Sequence, residues 1–156
     1  MEYRDWASYK QGWIFRHRDL PVSDDDRALI KPLSVISASA YWRQHVSAEA
    51  THASQFLADD WPAAVATWQQ QDRWQEAWDQ DDNALPELLQ TLDWDANTVV
   101  FFCYDHEHVV QTTWAVWQRC WKNFLFYDDA PILMARRRQQ VGQFFSDGTM
   151  RLGMRP

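Results

Sequence analysis

The run Val99-Val100-Phe101-Phe102-Cys103-Tyr104 consists almost entirely of residue types that favour β-structure. The run has no polar alternation, whereas a strand with one face in water alternates apolar and polar side chains. It therefore predicts a central strand that is covered on both faces. The rest of the chain has to supply the neighbouring strands and the layers that cover them.

An apolar stripe downstream of this run predicts a helix. Val110, Trp114, Trp117 and Trp121 follow one another at spacings of four, three and four residues, which places them on one face of an α-helix. Such a stripe is typical of a helix that packs against the core. Stacking on a cofactor is the alternative interpretation.

Short strands are predicted in the last third of the chain, at residues 124–126, 132–134 and 141–145. Connections as short as those between them are typical of hairpins, so these strands predict an antiparallel sheet. The last hairpin is the clearest, because Asp147-Gly148 is a strong signal for a two-residue type I′ turn.

That turn fixes the predicted register of the last hairpin. It places Phe145 opposite Met150 and Phe144 opposite Arg151. On one face, Phe144 and Arg151 would form a cation–π pair. The other face would be buried and would hold four apolar side chains, those of Val141, Phe145, Met150 and Leu152.

The half of the chain that precedes the central run is predicted to be mainly helical. Trp13-Ile14-Phe15 is a short strand candidate, and Ser23 precedes an acidic first turn as a helix N-cap does. Residues 37–57 contain neither glycine nor proline and favour helix, in two pieces. Shorter helices are predicted at 75–78 and 86–92, and the rest of 63–83 is predicted to be irregular.

Helices first and an antiparallel meander last indicate an α+β fold, with a helical N-terminal half packed on a C-terminal antiparallel sheet. The length fits a single globular domain over residues 1–156. The N-terminal residues lack the apolar segment of a secretory signal, and no apolar run approaches the ~20 residues of a membrane helix. We therefore expect a cytoplasmic protein that does not associate with membranes.

Composition excludes several kinds of site. Cys103 and Cys120 lie in apolar surroundings without CxxC spacing, which predicts reduced thiols in the core. A disulfide, a thiolate metal site and a cysteine nucleophile are correspondingly not expected. With four glycines in the chain, a glycine-rich nucleotide loop is excluded as well.

Charge is unevenly distributed along the chain, whose net charge is −7. Residues 59–107 hold twelve acidic residues and one basic residue, whereas residues 108–156 hold three acidic and seven basic residues. The two segments either neutralise each other within the domain or meet other molecules. A nucleic-acid partner is not expected, because such proteins carry a basic face and a basic net charge. The run Arg136-Arg137-Arg138 is the contrary signal, and it is interpreted as a solvated turn.

Eleven tryptophans present so much aromatic surface that it has to be buried or has to face a partner. Filling the core is the expected role of most of them. The functional hypothesis is a groove edged by Asp59, Asp60 and Trp61 near Trp68 and Trp74, which would recognise a basic protein or a small polar ligand without catalysis or a cofactor. An immunity-type protein that neutralises a basic toxin is a further alternative.

The enzyme alternative is a metal-dependent hydrolase. His106 and His108 follow the central strand and would point the same way if that strand continued. Together with Asp128 or Asp129 they would bind zinc or another divalent metal, whose bound water would be the nucleophile. The competing interpretation is that the histidines lie in a charged turn and that the aspartate pair belongs to a turn or a helix terminus.

Several segments together resemble a small family of uncharacterised bacterial proteins. These segments include Asp59-Asp60-Trp61-Pro62 and Asp128-Asp129. The most distinctive are Trp121-Lys122-Asn123-Phe124-Leu125-Phe126 and the turn from Phe145 to Thr149. The resemblance spans nearly the whole chain. It implies a soluble bacterial protein, and it brings no activity and no catalytic residues with it.

Overall fold

The computed structural model describes residues 1–127 and 129–156. Within them, a seven-stranded antiparallel sheet has the strand order β1-β4-β3-β5-β6-β7-β2. Both outermost strands come from the first half of the chain. The strands are β1 (Lys31–Pro32), β2 (Trp68–Arg73), β3 (Val99–Asp105), β4 (His108–Thr113), β5 (Ile132–Ala135), β6 (Gln140–Phe144) and β7 (Thr149–Met154).

The strand β3 is central and covered on both faces, as its sequence predicts. Val100, Phe102 and Tyr104 belong to one hydrophobic cluster, whereas Phe101 and Cys103 belong to the cluster on the opposite face. All five side chains are almost completely buried. The apolar run is continuous because successive side chains of β3 point to opposite faces of the sheet, and both faces are covered by an apolar layer.

Helices and short 3₁₀ segments form the two covering layers. The helices are α1 (Asp24–Leu29), α2 (Val35–His45), α3 (Trp74–Trp78) and α4 (Trp114–Phe124). The 3₁₀ segments are Trp6–Ser8, Lys10–Phe15, Ala53–Gln55, Trp61–Ala63, Val65–Thr67 and Glu87–Thr91.

Each face of the sheet has its own long helix. Helix α4 packs into the cluster that contains Phe102, and α2 packs into the cluster that contains Phe101. The mixed α+β class is thus confirmed. The division into a helical first half and a sheet second half is only partly matched, because β1 and β2 come from the first half and α4 comes from the second.

Local capping signals are well reproduced by the structure. The Ser23 hydroxyl accepts a hydrogen bond from the backbone N–H of Asp26 and so caps α1, as predicted. In the same way the Thr113 hydroxyl caps α4, with Val116 as the donor. Because this cap starts α4 at Trp114, Val110 lies in β4 instead of on the predicted helix, although Val110 and the three tryptophans of the stripe are all buried.

Two predicted strands are wrong. Residues 13–15 end the 3₁₀ segment Lys10–Phe15, where Ile14 and Phe15 are buried without any strand partner. Residues 124–126 are the last residue of α4 and the turn that follows it. Short apolar runs fit a buried helical turn as well as a strand, so periodicity alone does not separate the two.

The first half of the chain contains a strand that was predicted to be irregular. Residues 68–73 form β2, an edge strand that pairs with β7. The helix predicted at 75–78 is present as α3. Of the two helical pieces predicted for 37–57, the first corresponds to α2, which ends at His45, and the second contains the 3₁₀ segment Ala53–Gln55. The stretch predicted as a helix at 86–92 contains the 3₁₀ segment Glu87–Thr91.

The last hairpin has a longer turn than predicted, and its register is shifted. Phe144 pairs with Met150, and Gln143 pairs with Arg151. Gly148, at φ 90°, takes the left-handed position that follows a tight turn, and its N–H donates to the carbonyl of Phe145. The predicted cation–π pair of Phe144 with Arg151 is therefore wrong, since Phe144 is in the core.

Both cysteines are free and buried, as predicted. Burial raises the pKa of both thiols, that of Cys120 to about 12, so neither is a thiolate at neutral pH. None of the helices in residues 1–127 and 129–156 combines the length and apolar character that crossing a bilayer requires.

Candidate functional site

The distinctive segment at 121–126 holds the fold together through two buried polar side chains. The Lys122 ammonium group donates to the carbonyl oxygens of Gln80 and Asp82, at 2.9 and 3.0 Å. The Asn123 amide donates to the carbonyl oxygens of Ile14 and Leu20, both at 2.9 Å. These bonds fasten two loops of the first half to α4, so both residues serve the structure.

The predicted groove is brought together in part. The rings of Trp61 and Trp68 are 6.1 Å apart, and Asp59 and Asp60 line a shallow cavity beside Trp61. Trp74 lies elsewhere, because it belongs to the cluster on the other face of the sheet. The structure thus groups four of the five predicted residues and separates the fifth from them.

Several of these groups also have partners inside the protein. The Trp61 indole donates to the carbonyl of His45 at 2.8 Å. One oxygen of Asp60 accepts from the Ser47 hydroxyl and from the N–H of Leu57. Asp59 is exposed, so it is the member of this group that faces solvent.

Arg151 covers the ring of Trp68. Its guanidinium lies 4.1 Å from the centre of that ring and donates to the side-chain oxygen of Gln143 and to the carbonyl of Pro62. Burial lowers the pKa of Arg151 from its usual value. This arginine joins β7 to β6 and to the loop that carries Trp61, so the ring of Trp68 already has a cationic partner.

Of the two predicted metal-ligating histidines, His106 lies in the turn between β3 and β4, and His108 is the first residue of β4. The Nδ1 atom of His108 is 2.8 Å from Oδ1 of Asp105, and the Nε2 atom of His106 is 3.5 Å from Oε1 of Glu107. Burial opposes the ionisation of Asp105, but hydrogen bonds from His108 and Glu107 outweigh it and keep the pKa of that carboxyl below its usual range.

No cluster of three or more histidine, cysteine, aspartate or glutamate side chains that could hold a metal ion occurs in the described part of the chain. Asp129 is exposed, and Asp128 lies outside the described residues. The metal-dependent hydrolase therefore stays a prediction, which elemental analysis of untagged protein would test.

A different site is built around the arginine run. Residues 136–139 connect β5 to β6, and three backbone hydrogen bonds hold this loop. The N–H groups of Arg136 and Arg138 donate to the carbonyl oxygens of Val99 and Ala135, respectively. The N–H of Arg155 donates to the carbonyl oxygen of Gln139. The run does form a turn, as predicted. The turn also forms one wall of a cavity of about 410 Å³.

The opposite wall of this cavity is one face of α2. We call the space the arginine cavity, and we define it by its lining residues, which are Met1, Ser37, Ala40, Tyr41, Gln44, His45, Phe101, Arg136, Arg137 and Arg155. The α2 residues among them are separated by three, four, seven and eight positions, so they share one side of the helix. Among the described residues of this lining there is no carboxylate, so its three arginines have no acidic neighbour there.

An aromatic column forms the floor of the arginine cavity. The rings of Phe101 and Tyr41 are 4.2 Å apart, and those of Tyr41 and His45 are 4.4 Å apart. The Arg136 guanidinium lies 5.7 Å from the centre of the Phe101 ring. The floor thus joins a cation, two apolar rings and an imidazole in one continuous stack.

Electrostatics keep the polar groups of this floor in defined states. Burial raises the pKa of Tyr41 well above its usual range, although Arg155 and Arg136 act in the opposite sense, so the hydroxyl stays protonated. Burial and the charge of Arg155 lower the pKa of His45, so the imidazole is neutral at neutral pH. The cavity therefore offers a neutral hydroxyl and a neutral imidazole beside fixed positive charges.

The arginines of the cavity have no acidic partners in the described part of the chain. The ion pairs found there involve Arg73, Arg119 and two histidines. Arg155 donates instead to the carbonyl oxygens of Arg138 and Ala135, at 3.1 and 3.4 Å, which orient its guanidinium. None of the described ion pairs of an arginine links the acidic segment 59–107 to the basic segment 108–156, and the pair of His108 with Asp105 joins the two segments only at their boundary.

A family model described as "Protein of unknown function (DUF2947)" matches residues 3–153. The chain belongs to this family. No curated protein and no solved structure matches it. The DUF2947 family supplies no activity, so the geometry of the site is what indicates a function.

The sequence signal for the arginine cavity was incomplete. The run at 136–138 was visible, but the other contributors come from α2, β3 and the residue after β7, which are distant in sequence. The arginine run predicts the turn, but it does not predict which residues pack opposite that turn. The useful signal would have been the basic excess of residues 108–156, of which three arginines meet at this cavity.

Proposed function

We propose that this protein is a non-catalytic binding protein and that its site, the arginine cavity, takes a small anionic molecule. One observation carries the proposal: three arginines line a cavity of about 410 Å³, and no carboxylate is found among the described residues of its wall. Cavities that bind small molecules commonly have volumes of roughly 300–1,000 Å³. A guanidinium fork matches the oxygens of carboxylates, sulfates and phosphates.

The proposed ligand is small because the protein as a whole is acidic. A net charge of −7 repels a long polyanion, whereas a small anion interacts mainly with the local field of the cavity. The floor also offers apolar contact beside the charges, at Ala40, Tyr41 and Phe101. A compact organic anion fits these conditions better than a nucleic-acid backbone does.

Calorimetric titration with three ring-bearing anions tests this function, with benzylamine as the cationic control. We expect at least one of benzoate, phenyl sulfate and phenyl phosphate to bind, and benzylamine not to bind. The double variant Arg136→Gln/Arg155→Gln should weaken binding by roughly 2–4 kcal/mol, since each charge-assisted hydrogen bond contributes about 1.5–3 kcal/mol and some are shared.

The matched control is Arg18→Gln, which removes an exposed arginine outside the arginine cavity. It should leave the affinity for each anion unchanged. Binding that is equally strong in the double variant would place the ligand elsewhere, and absence of binding by all three anions would contradict the proposal.

The acidic surface is a second candidate, and one observation favours it. Of the twelve acidic residues in the segment 59–107, nine are exposed. This arrangement supports the recognition of a basic protein beside Asp59, Asp60, Trp61 and Trp68, with neutralisation of a basic toxin as one case. A lysine-rich peptide would then bind with an affinity that falls as salt is added.

A single neutral variant separates this candidate from general charge attraction. Asp59→Asn should weaken binding of the peptide several-fold, because Asp59 is the exposed acid at the Trp61 cavity. Asp19→Asn removes an equal charge from an exposed loop and is the control. Equal losses in the two variants would show that only net charge attracts the peptide.

A further inference from the structure

We infer that the ligand of the arginine cavity is a phosphate monoester, that is, a small organic molecule with one dianionic phosphate group. This inference rests on the proposed function and adds the chemical class of the ligand. It is carried by the number of positive charges, by the directions from which they come, and by the neutral donors beside them.

The positive charges come from separate backbone segments. Arg136 and Arg137 belong to the loop between β5 and β6, and Arg155 follows β7. A carboxylate has two oxygens in one plane and is matched by a single guanidinium fork. A phosphate group has three terminal oxygens in a tetrahedral arrangement, so it can accept from guanidinium groups that approach from more than one side.

The orientation of Arg155 is fixed before any ligand arrives. Its Nε and one terminal nitrogen donate to the carbonyls of Arg138 and Ala135. The other terminal nitrogen makes no hydrogen bond within the described residues, so its two N–H groups remain for a ligand. A guanidinium held in this way loses little conformational freedom when it binds an anion.

The backbone of Arg137 is the second unusual feature. Its φ of 61° lies in the left-handed region, which glycine adopts readily and which is costly for most other residues. Arg137 holds this conformation in the loop between β5 and β6 and is one of the residues that line the arginine cavity. Backbone strain of this kind is typical of residues that hold a ligand.

Neutral donors complete the set. The Tyr41 hydroxyl is protonated and lies in the same lining, and the Ser37 hydroxyl accepts from the N–H of Glu2 at 2.8 Å, which leaves its own hydrogen to donate. Acidic groups, which would repel a dianion, are missing from the described residues of the wall. Several donors without an anionic neighbour are what a group with several anionic oxygens requires.

The matched probes are phenyl phosphate, phenyl sulfate and benzoate, titrated calorimetrically into the intact chain at about pH 8. Phenyl phosphate is then a dianion, phenyl sulfate is a tetrahedral monoanion of similar shape, and benzoate is a planar monoanion. We expect phenyl phosphate to bind at least about tenfold more tightly than either of the others.

Two arginine variants test whether the preference for phenyl phosphate comes from the arginine cavity. Arg155→Gln should weaken phenyl phosphate by about tenfold or more and reduce its advantage over benzoate, whereas Arg18→Gln should change neither. Arg136→Gln serves as a second variant if Arg155→Gln does not fold, because the Arg136 side chain makes no hydrogen bond within the described residues.

The outcomes separate the two proposals. Equal affinity for phenyl phosphate and either monoanion would overturn the phosphate inference and leave anion binding standing. Absence of binding by all three would overturn both. A tenfold preference that survives Arg155→Gln and Arg136→Gln would place a phosphate site elsewhere and would also overturn this inference.

Discussion

Two polar regions of this molecule, both beside aromatic rings, use their polar side chains in opposite ways. On α4, Lys122 and Asn123 are 7 % and 4 % exposed, and each donates two hydrogen bonds to carbonyl oxygens of the first half of the chain. At the arginine cavity, the side chains of Arg136 and Arg137 are exposed and make no hydrogen bond within the described residues. Buried polar groups with partners complete a fold, whereas charged groups left open in a concave wall are available to a ligand.

The largest effect is expected on the α4 side of this comparison. Asn123→Ala removes two hydrogen bonds and leaves the carbonyls of Ile14 and Leu20 without that donor. We expect the free energy of unfolding to fall by about 2–4 kcal/mol, because each unsatisfied buried group costs roughly 1–3 kcal/mol. Urea unfolding measures the change.

An exposed asparagine provides the control for this substitution. Asn97→Ala should change the free energy of unfolding by less than about 0.5 kcal/mol, as surface substitutions usually do. A comparable loss in the two variants would mean that the hydrogen bonds of Asn123 contribute nothing special to stability.

The fold was predictable where a local pattern has one structural solution. The unbroken apolar run of β3, the tryptophan stripe of α4 and the Ser23 cap each depend on neighbours within a few residues. The Asp147-Gly148 signal is different, because it suits both a two-residue and a three-residue turn. The structure has the three-residue turn, and with that register Phe144 lies in the core and Arg151 lies over the ring of Trp68.

The edge strands of the sheet and the candidate binding sites were less predictable, because they depend on segments that are distant in sequence. The strand β2 contains three consecutive glutamines, and its order comes from pairing with β7 about eighty residues later. The arginine run predicts its turn, but the cavity exists only because α2 packs opposite that turn. Likewise, the spacing of Trp61, Trp68 and Trp74 does not show that the sheet separates the last from the other two.

An intermediate effect is expected for Arg137→Gly, which should change stability and ligand binding in opposite directions. Glycine relieves a left-handed backbone penalty of about 1–2 kcal/mol, and greater freedom of the unfolded chain offsets part of that gain. We expect unfolding to become harder by about 0.5–1 kcal/mol while phenyl phosphate binds several-fold more weakly. Urea unfolding and calorimetry measure the two quantities.

The neighbouring arginine controls for loss of charge and for loop flexibility. Arg138 is not among the residues with a positive φ, so Arg138→Gly should lower stability. A gain of stability in both variants would show that the effect comes from charge repulsion among the arginines. A loss in both would show that the conformation of Arg137 carries no strain.

The smallest effect concerns His45, the neutral member of the cavity floor. Burial and Arg155 lower its pKa in the folded protein, so the unfolded chain binds this proton first as the pH falls through about 6.5. This imidazole therefore reduces stability as the pH drops below about 6.5, and the loss levels off below the lowered folded pKa. Above about pH 7.5 the imidazole of His45 is neutral in both the folded and the unfolded protein, so its titration does not change the stability.

His45→Gln removes this titrating group, so Tm should fall less than in the wild-type protein between about pH 7.5 and about pH 5.5. Between about pH 7.5 and about pH 8.5 the two proteins should show the same change, which serves as the internal control. A bound dianion favours protonation of the imidazole, so saturating phenyl phosphate should narrow the difference between the two proteins below about pH 6.5. If saturating phenyl phosphate leaves the difference in Tm change between the two proteins as it was, the anion does not lie beside His45. The open polar site of this protein would then be a surface other than the arginine cavity.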